Sequence, residues 1–424
     1  MAKYSSDFEK ALSVGRPPNI VKLFPDSKAL IISGKVIDRA FLAKSKAMTI
    51  AANGRNNFVI RGSLKAAQKA NAAIIIEIAK SEAKYCYTNF SNIAEQVNAA
   101  CNELGITIPV AVHADHYAVK NKDDFDKAKK EIPEMFKAGI TSLAIDASHL
   151  PEEENLLINI DLSKYIPAWA GYETEIGEIK GEDGLSTPKE ALFLIEGLNA
   201  YGISPDWIAL NNGTTHGIET SSAGIQVGLT AEIHNALALY NVSGAQHGTS
   251  GNSSDRLREI ASKTKTTKAN VATSLQMISW GVKVNDYGNA ILTSEGKLSK
   301  IKGKGISEEV WAEMVSYAEK NGWNAGNYKN LNLPFESKFN SFPENIKEQS
   351  IEGVEEFVYK LLTEVFNASD TAPIAIDILL KANSYDLGPK ARRIADPSEW
   401  TTEKIKEKAK ALGSNRGPDG DYDD

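Results

Sequence analysis

Eight short apolar runs, each followed by an amphipathic or turn-forming stretch, constrain this chain more than any other feature. They are "AMTIAAN" (47–53), "AAIIIEIA" (72–79), "IPVAVHAD" (108–115), "TSLAIDAS" (141–148), "AWAGYETEI" (168–176), "PDWIALNN" (205–212), "VSGAQHG" (242–248) and "GVKVND" (281–286). Strands buried on both faces read as near-continuous apolar runs, and helical crossovers between them make a sheet parallel. The intervening "RGSLKAAQKANA", "DDFDKAKKEIPEMFKAG", "TPKEALFLIEGLNAYG" and "SSDRLREIASKT" have helical spacing, the last with a Ser-Ser-Asp capping signal at its start. Eight such units are the count of a (β/α)8 TIM barrel, so the expected fold class is α/β with a closed parallel barrel. An open doubly wound sheet is the competitor. Its usual phosphate loops are missing: there is no GxGxxG after the first strand and no GxxxxGK followed by Ser or Thr.

The flanks read differently from the core. Residues 1–45 form an N-terminal helical segment leading into the barrel, 46–290 the barrel core, 291–412 a C-terminal helical extension, and 413–424 a polar, flexible tail. The net charge of −7 is mixed along the chain and offers no basic face, which argues against a nucleic-acid partner. No apolar run approaches the ~20 residues of a membrane span, and the N-terminus has no signal-peptide core. Cys86 and Cys101 form no CxxC, which suits a reducing compartment, so a cytoplasmic location is expected.

In such a barrel the C-terminal strand ends converge on one face, where barrel enzymes place their chemistry. Those ends carry Asp115 and His116, then Asp146, Glu175, His216 and His247. A single histidine at a strand end is more commonly a satisfied structural residue. Three that converge, out of six in the whole chain, suit a zinc-like divalent ion with one coordination position left open. The carboxylates could hold a second metal position or work as acid and base. His113 points the same way as Asp115 and would stand behind the ligands, while His149 and His234 read as structural. "HGTSGNSSDR" places Gly248, Thr249, Ser250 and Gly251 just before a helix, where backbone N–H groups make an anion site. A metal beside an anion site suggests a substrate with a phosphate at one end and a metal-binding oxygen nearby.

With these residues in view, the chain resembles the class II, metal-dependent fructose-bisphosphate aldolases. "VAVHADHYAVK", "LAIDASHLPEEENL", "YETEIGEIKGEDG", "ALNNGTTHG" and "AQHGTSG" are similar, in order and rough spacing, to five motifs of that family. The resemblance implies that His116, His216 and His247 bind the catalytic zinc. It places Glu175 and Asp146 at an alternative metal position, open to a second divalent or monovalent cation. Asp115 matches the residue that exchanges a proton with the C4 hydroxyl, and Glu182 the base that deprotonates dihydroxyacetone phosphate. Gly217, Gly248, Ser250 and Asn285 match groups around the dihydroxyacetone phosphate end, and Asn53 a substrate-binding asparagine. A homodimer or higher homo-oligomer acting on a small sugar phosphate is implied as well.

Three departures from the family pattern bear on substrate. Ala79 stands where a serine is usual, with Ser81 close by. With the last strand at 281–286, the family's Asn-x-(Asp/Ala)-Thr falls on "VNDYGN", where Tyr287 and Gly288 replace its last two members. In "YDLGPKARR" Gly388 holds the place of an arginine that reaches a neighbouring subunit's substrate phosphate, so Arg392 or Arg393, or Lys390, is expected to take over. The expected reaction is reversible cleavage of fructose 1,6-bisphosphate to dihydroxyacetone phosphate and glyceraldehyde 3-phosphate. Tagatose bisphosphate or another phosphorylated ketose is the alternative within the fold, and a non-catalytic barrel subunit of an aldolase complex the alternative outside catalysis. A metal-dependent amidohydrolase would want HxH on the first strand, which "AMTIAAN" lacks.

Overall fold

The computed structural model describes residues 5–177, 184–213, 224–285 and 288–413. Eight parallel strands close into a barrel: β1 Thr49–Asn53, β2 Ile74–Ala79, β3 Val110–Ala118, β4 Ser142–Asp146, β5 Gly171–Ile176, β6 Trp207–Leu210, β7 Ser243–Gln246 and β8 Thr266–Val271. Closure comes from β8 pairing with β1, with Thr49 opposite Lys268 and Ala51 opposite Asn270. The first seven strands fall within the apolar runs of the sequence or within a few residues of them. The eighth does not. It is "TTKANV", 15 residues earlier than the "GVKVND" run. Residues 281–300 instead fold back on themselves through isolated antiparallel bridges, Val282 with Lys300 and Val284 with Ala290.

Local signals in the sequence set several helix starts. Ser253 caps Ser254–Lys263 by accepting from the Arg256 N–H at 3.2 Å. Thr187 and Glu190 form a reciprocal capping box at the start of Pro188–Ala200. Among the described residues no helix is long and apolar enough to cross a membrane.

The regions flanking the barrel are built into it. Helix Gly34–Lys44 lies across the N-terminal end of the strands, where Ser33 Oγ donates to the Trp169 carbonyl at 2.6 Å. Helix Thr371–Ala382 packs on it, so the two ends of the chain seal that end together. After β8 the chain makes its excursion and returns as helix Glu344–Lys360, which lies against Asn57–Ala70, the helix that follows β1. Their approach is close because Gly62 has no side chain. A Cβ there would sit 2.6 Å from Val354 Cβ and 2.7 Å from the Ile351 carbonyl oxygen. Backbone cannot yield as a side-chain tip does, so Gly62→Ala should push the returning helix outward. The expected cost is about 1–3 kcal/mol, the usual range for overpacking, read as a shift in the urea midpoint. An unchanged midpoint would mean the two helices separate freely.

Candidate active site

The C-terminal ends of the strands surround a cavity of about 400 Å³. Its wall includes Asn53, Asp115, His116, His247, Gly248, Ser250, Asn270 and Thr273. Consecutive strand residues normally point to opposite faces, yet Asp115 and His116 both line this cavity. The reason is local. One extra residue is inserted in β3 between Ala114 and Tyr117, and His116 adopts a left-handed φ of 42°. A bulge of this kind re-aims a side chain, and a non-glycine residue held in that region is strained, a cost typical of functional sites.

Around His116 the ligand-type groups crowd together. Its Nδ1 lies 3.2 Å from Glu175 Oε1 and 3.4 Å from Asp146 Oδ2, and its ring centroid is 4.3 Å from that of His247. His247 Nε2 is 2.9 Å from Glu173 Oε1, while its Nδ1 is 3.8 Å from Glu175 Oε2. Asp115, His116 and His247 can bring one ligand atom each within 4.8 Å of one another, and so can His116, Asp146 and Glu175. His247 Nδ1 is buried with no hydrogen-bond partner among the described residues, and Glu175 Oε1 is buried with only the His116 ring beside it. A buried imidazole nitrogen left open beside clustered carboxylates fits a divalent cation.

Below the cavity, in the barrel axis, is a network that the sequence patterns did not single out. Lys268 of β8 is fully buried, with its Nζ 2.8 Å from Glu173, 3.2 Å from Glu77 and 3.4 Å from Asp115. Three carboxylates around one ammonium cannot all ionise at low cost. Burial, and then the Asp115 charge, push Glu77 well above the ordinary carboxylate range, so it holds a proton. Burial alone would raise Asp115 too, but Lys268, then His116 and His247, hold it far below that range. Glu173 is likewise lowered against burial by Lys268 and His247. His113, fully buried, is pushed down to about 3 by burial and by Lys268, and is therefore neutral. Its Nδ1 is 2.8 Å from Ser142 Oγ and its Nε2 is 3.5 Å from Glu173, so it lies behind the ligand cluster.

The remaining expected residues divide into three groups. Gly248 (φ 60°) and Ser250 lie at the cavity beside the start of helix Ser254–Lys263, with Ser250 Oγ 2.8 Å from Ser274 Oγ. Glu182, His216 and Gly217 fall outside the described residues. Asn285 is a correction, and the two arginines lie away from this chain's own cavity. Asn285 belongs to the folded-back segment after the barrel and does not border the cavity, because β8 ends at Val271. The strand-end asparagine is Asn270, in Asn270-Val271-Ala272-Thr273, so the Asn-x-Ala-Thr pattern is intact. Arg392 and Arg393 are exposed at the opposite, N-terminal end of this chain's barrel. The Arg392 carbonyl accepts from Asn199, and Lys390 bonds Asp38 Oδ2, the Asp206 carbonyl and Ser243 Oγ beneath β6 and β7. These bonds fix Lys390 and the Arg392 backbone in the barrel's closed floor. Of the histidines read as structural, His234 accepts from the Lys265 N–H, and burial lowers it to about 4. His149 lies 3.8 Å from Asp146, at the edge of the cluster.

Further wall residues were missed: Arg55, Glu82 and Tyr85 beside β1 and β2, and Lys329 from the C-terminal extension. A glutamate inside the apolar "AAIIIEIA" run was the available signal for Glu77; nothing in the local sequence marked Lys329.

A protein-family model described as fructose-bisphosphate aldolase class-II matches residues 36–322. Among curated proteins, a fructose-bisphosphate aldolase of Staphylococcus aureus is 31% identical over 195 residues, 42% of this chain and 63% of that protein. One of Streptococcus pyogenes serotype M3 is 30% identical over 225 residues, 50% of this chain and 69% of that protein. The chain thus spans just under two thirds of the staphylococcal relative's length. Among solved structures, the YdjI aldolase of Escherichia coli K12 superposes with a TM-score of 0.54 at 17% identity, covering 81% of this chain and 99% of that one. The fructose-bisphosphate aldolase of Campylobacter jejuni does so with 0.53 at 19% identity, covering 81% and 97%. At these identities the structures speak to the fold.

Proposed function

The chain belongs to the class II fructose-bisphosphate aldolase family, and from that membership we propose that it is a metal-dependent aldolase cleaving a ketose 1-phosphate to dihydroxyacetone phosphate and an aldehyde. Its relatives are named for fructose bisphosphate, which makes fructose 1,6-bisphosphate one candidate substrate, and another phosphorylated ketose is the alternative. The observation that carries the reading is the pairing of an ionised carboxylate, Asp115, with a cluster of ligand-type groups at the same strand ends. A non-catalytic subunit would have no use for that combination.

His116 and His247, with Glu175 and Asp146 beside them, would hold the cation, most simply zinc, and His216 would complete the set. When bound, a divalent cation supplies the electrophilic charge that stabilises negative charge developing on a ketone oxygen. The chain's own groups do the rest. Gly248 and Ser250, at the N-terminus of helix Ser254–Lys263, receive the phosphate next to the ketone. Asp115, kept ionised by Lys268 and oriented by the Asn270 amide at 3.0 Å, takes the proton of the C4 hydroxyl as the carbon–carbon bond breaks. Glu182 would move the proton at the carbon next to the ketone. Lys268 pairs with the ionised Asp115 and Glu173, lies against the protonated Glu77, and forms no Schiff base in this scheme.

The test is cleavage of a small panel of ketose phosphates by the purified chain, with and without a chelator. At least one ketose 1-phosphate should be cleaved, with activity lost to the chelator and restored by zinc or cobalt. Full activity without metal, or borohydride trapping of substrate on a lysine, would overturn the proposal.

A further inference from the structure

We infer that Glu82 closes the far end of the cavity to a second phosphate, so that the substrate is a ketose monophosphate whose aldehyde half is an uncharged polyol. This rests on the aldolase reading and narrows its substrate. At the tips of β1 and β2 three donors converge on one point: the Asn53 side-chain amide, the Ala79 backbone N–H and the Arg55 guanidinium. An amide, a main-chain N–H and a guanidinium together are a donor set that suits a phosphate. Here the position is already filled from within the chain. Glu82, on the short 3-10 turn Ser81–Lys84, accepts from Asn53 Nδ2 at 2.9 Å, from the Ala79 N–H at 2.8 Å and from Arg55 Nε at 2.5 Å. Its side chain is 3% exposed and that of Arg55 7%, so the pair is built into the wall.

Three of the five Arg55 N–H groups are already engaged within the wall. Its Nη1 already donates to Gln276 Oε1 at 2.9 Å and to Thr273 Oγ1 at 3.3 Å. A phosphate arriving here would have to displace a buried carboxylate or lie against it. The groups left over in the same wall are of the opposite kind. A carboxylate can only accept, so the amide nitrogens of Asn53 and Asn270 must face Glu82 and Asp115, which turns both amide oxygens the other way. Asn53 Oδ1, Asn270 Oδ1 and Ser81 Oγ are buried without a hydrogen-bond partner among the described residues. Two of the three are pure acceptors, and they call for hydroxyl donors, which a polyol has and a fully ionised phosphate lacks. Among the described residues the other Lys or Arg in the wall is Lys329, whose Nζ lies 5.3 Å from the centre of the Tyr85 ring.

The experiment compares fructose 1-phosphate with fructose 1,6-bisphosphate on the zinc-loaded full chain, and counts inorganic phosphate bound per chain by calorimetry. Wild type should cleave the monophosphate with a kcat/KM at least equal to that for the bisphosphate. Glu82→Ala, which empties the position, should shift that ratio at least tenfold toward the bisphosphate and add one bound phosphate per chain. Wild-type preference for the bisphosphate overturns the inference, and loss of that preference in Lys329→Ala would identify the cation responsible. So does a Glu82→Ala variant with wild-type ratio and phosphate count. Should that variant not fold, the wild-type comparison alone decides. If wild type cleaves neither sugar nor any other ketose 1-phosphate of the panel, the aldolase reading fails and this inference with it, whereas cleavage of another ketose monophosphate with an unchanged phosphate count in Glu82→Ala overturns this inference alone.

Discussion

Asp115→Ala should cut cleavage of the preferred ketose phosphate by about 10²–10⁴-fold, the usual scale for losing a positioned acid–base group. The size of the effect follows from how the residue is kept. Burial would ordinarily protonate this carboxyl, and the ammonium of Lys268 at 3.4 Å prevents it. The Asn270 amide fixes one oxygen at 3.0 Å. A group held ionised and oriented at this cost is suited to accept a proton, and no neutral side chain reproduces that, so Asp115→Asn should be as inactive as the alanine variant. The other proton transfer, at the carbon next to the ketone, is assigned to Glu182. Exchange of the dihydroxyacetone phosphate α-proton with solvent, followed by NMR in deuterated buffer, should therefore persist in both Asp115 variants. Exchange that falls in parallel with cleavage would show that Asp115 serves both steps, or that its loss disturbs the metal cluster.

Much of this was legible in the sequence, for identifiable reasons. Seven strands announce themselves because a parallel strand covered on both faces must be apolar nearly throughout, as "AAIIIEIA" and "TSLAIDAS" are. The histidines and carboxylates at the tips stood out because nothing in a strand's packing asks for them. The eighth strand was hidden by its own function. "TTKANV" points Lys268 into the barrel axis and Asn270 at Asp115, so a run whose positions are all buried reads as polar. "GVKVND" shows the alternation of a strand, but the bridges of its described residues Val282 and Val284 run to the segment that folds back on them. That one misplacement moved the substrate asparagine from Asn270 to Asn285. Arg392 and Arg393 lie at the far end of this chain's own barrel, away from its cavity. Their position depends on long-range contacts of Lys390 and Asn199, which local sequence does not encode.

Lys268 is where the largest loss of stability should follow from one substitution. Lys268→Met keeps most of the volume and removes the ammonium, leaving Asp115 and Glu173 buried without their main counter-charge. Breaking a buried ion pair from one side typically costs about 3–5 kcal/mol, because the orphaned charge stays behind. The pH dependence provides the check. In wild type both carboxyls are held below their ordinary values, so they add stability above about pH 4 that fades as pH falls. Without Lys268, burial should instead raise them above their unfolded values, so the folded variant takes up protons that the unfolded chain has released. The deficit relative to wild type should then grow as pH rises above about 4, and urea unfolding should show a larger gap at pH 8 than at pH 5.5. Adding Glu173→Gln to Lys268→Met should recover part of the loss, since one of the stranded charges is gone. A deficit of the same size at both pH values, with no recovery in the double variant, would mean that Lys268 serves the barrel axis by packing rather than by charge.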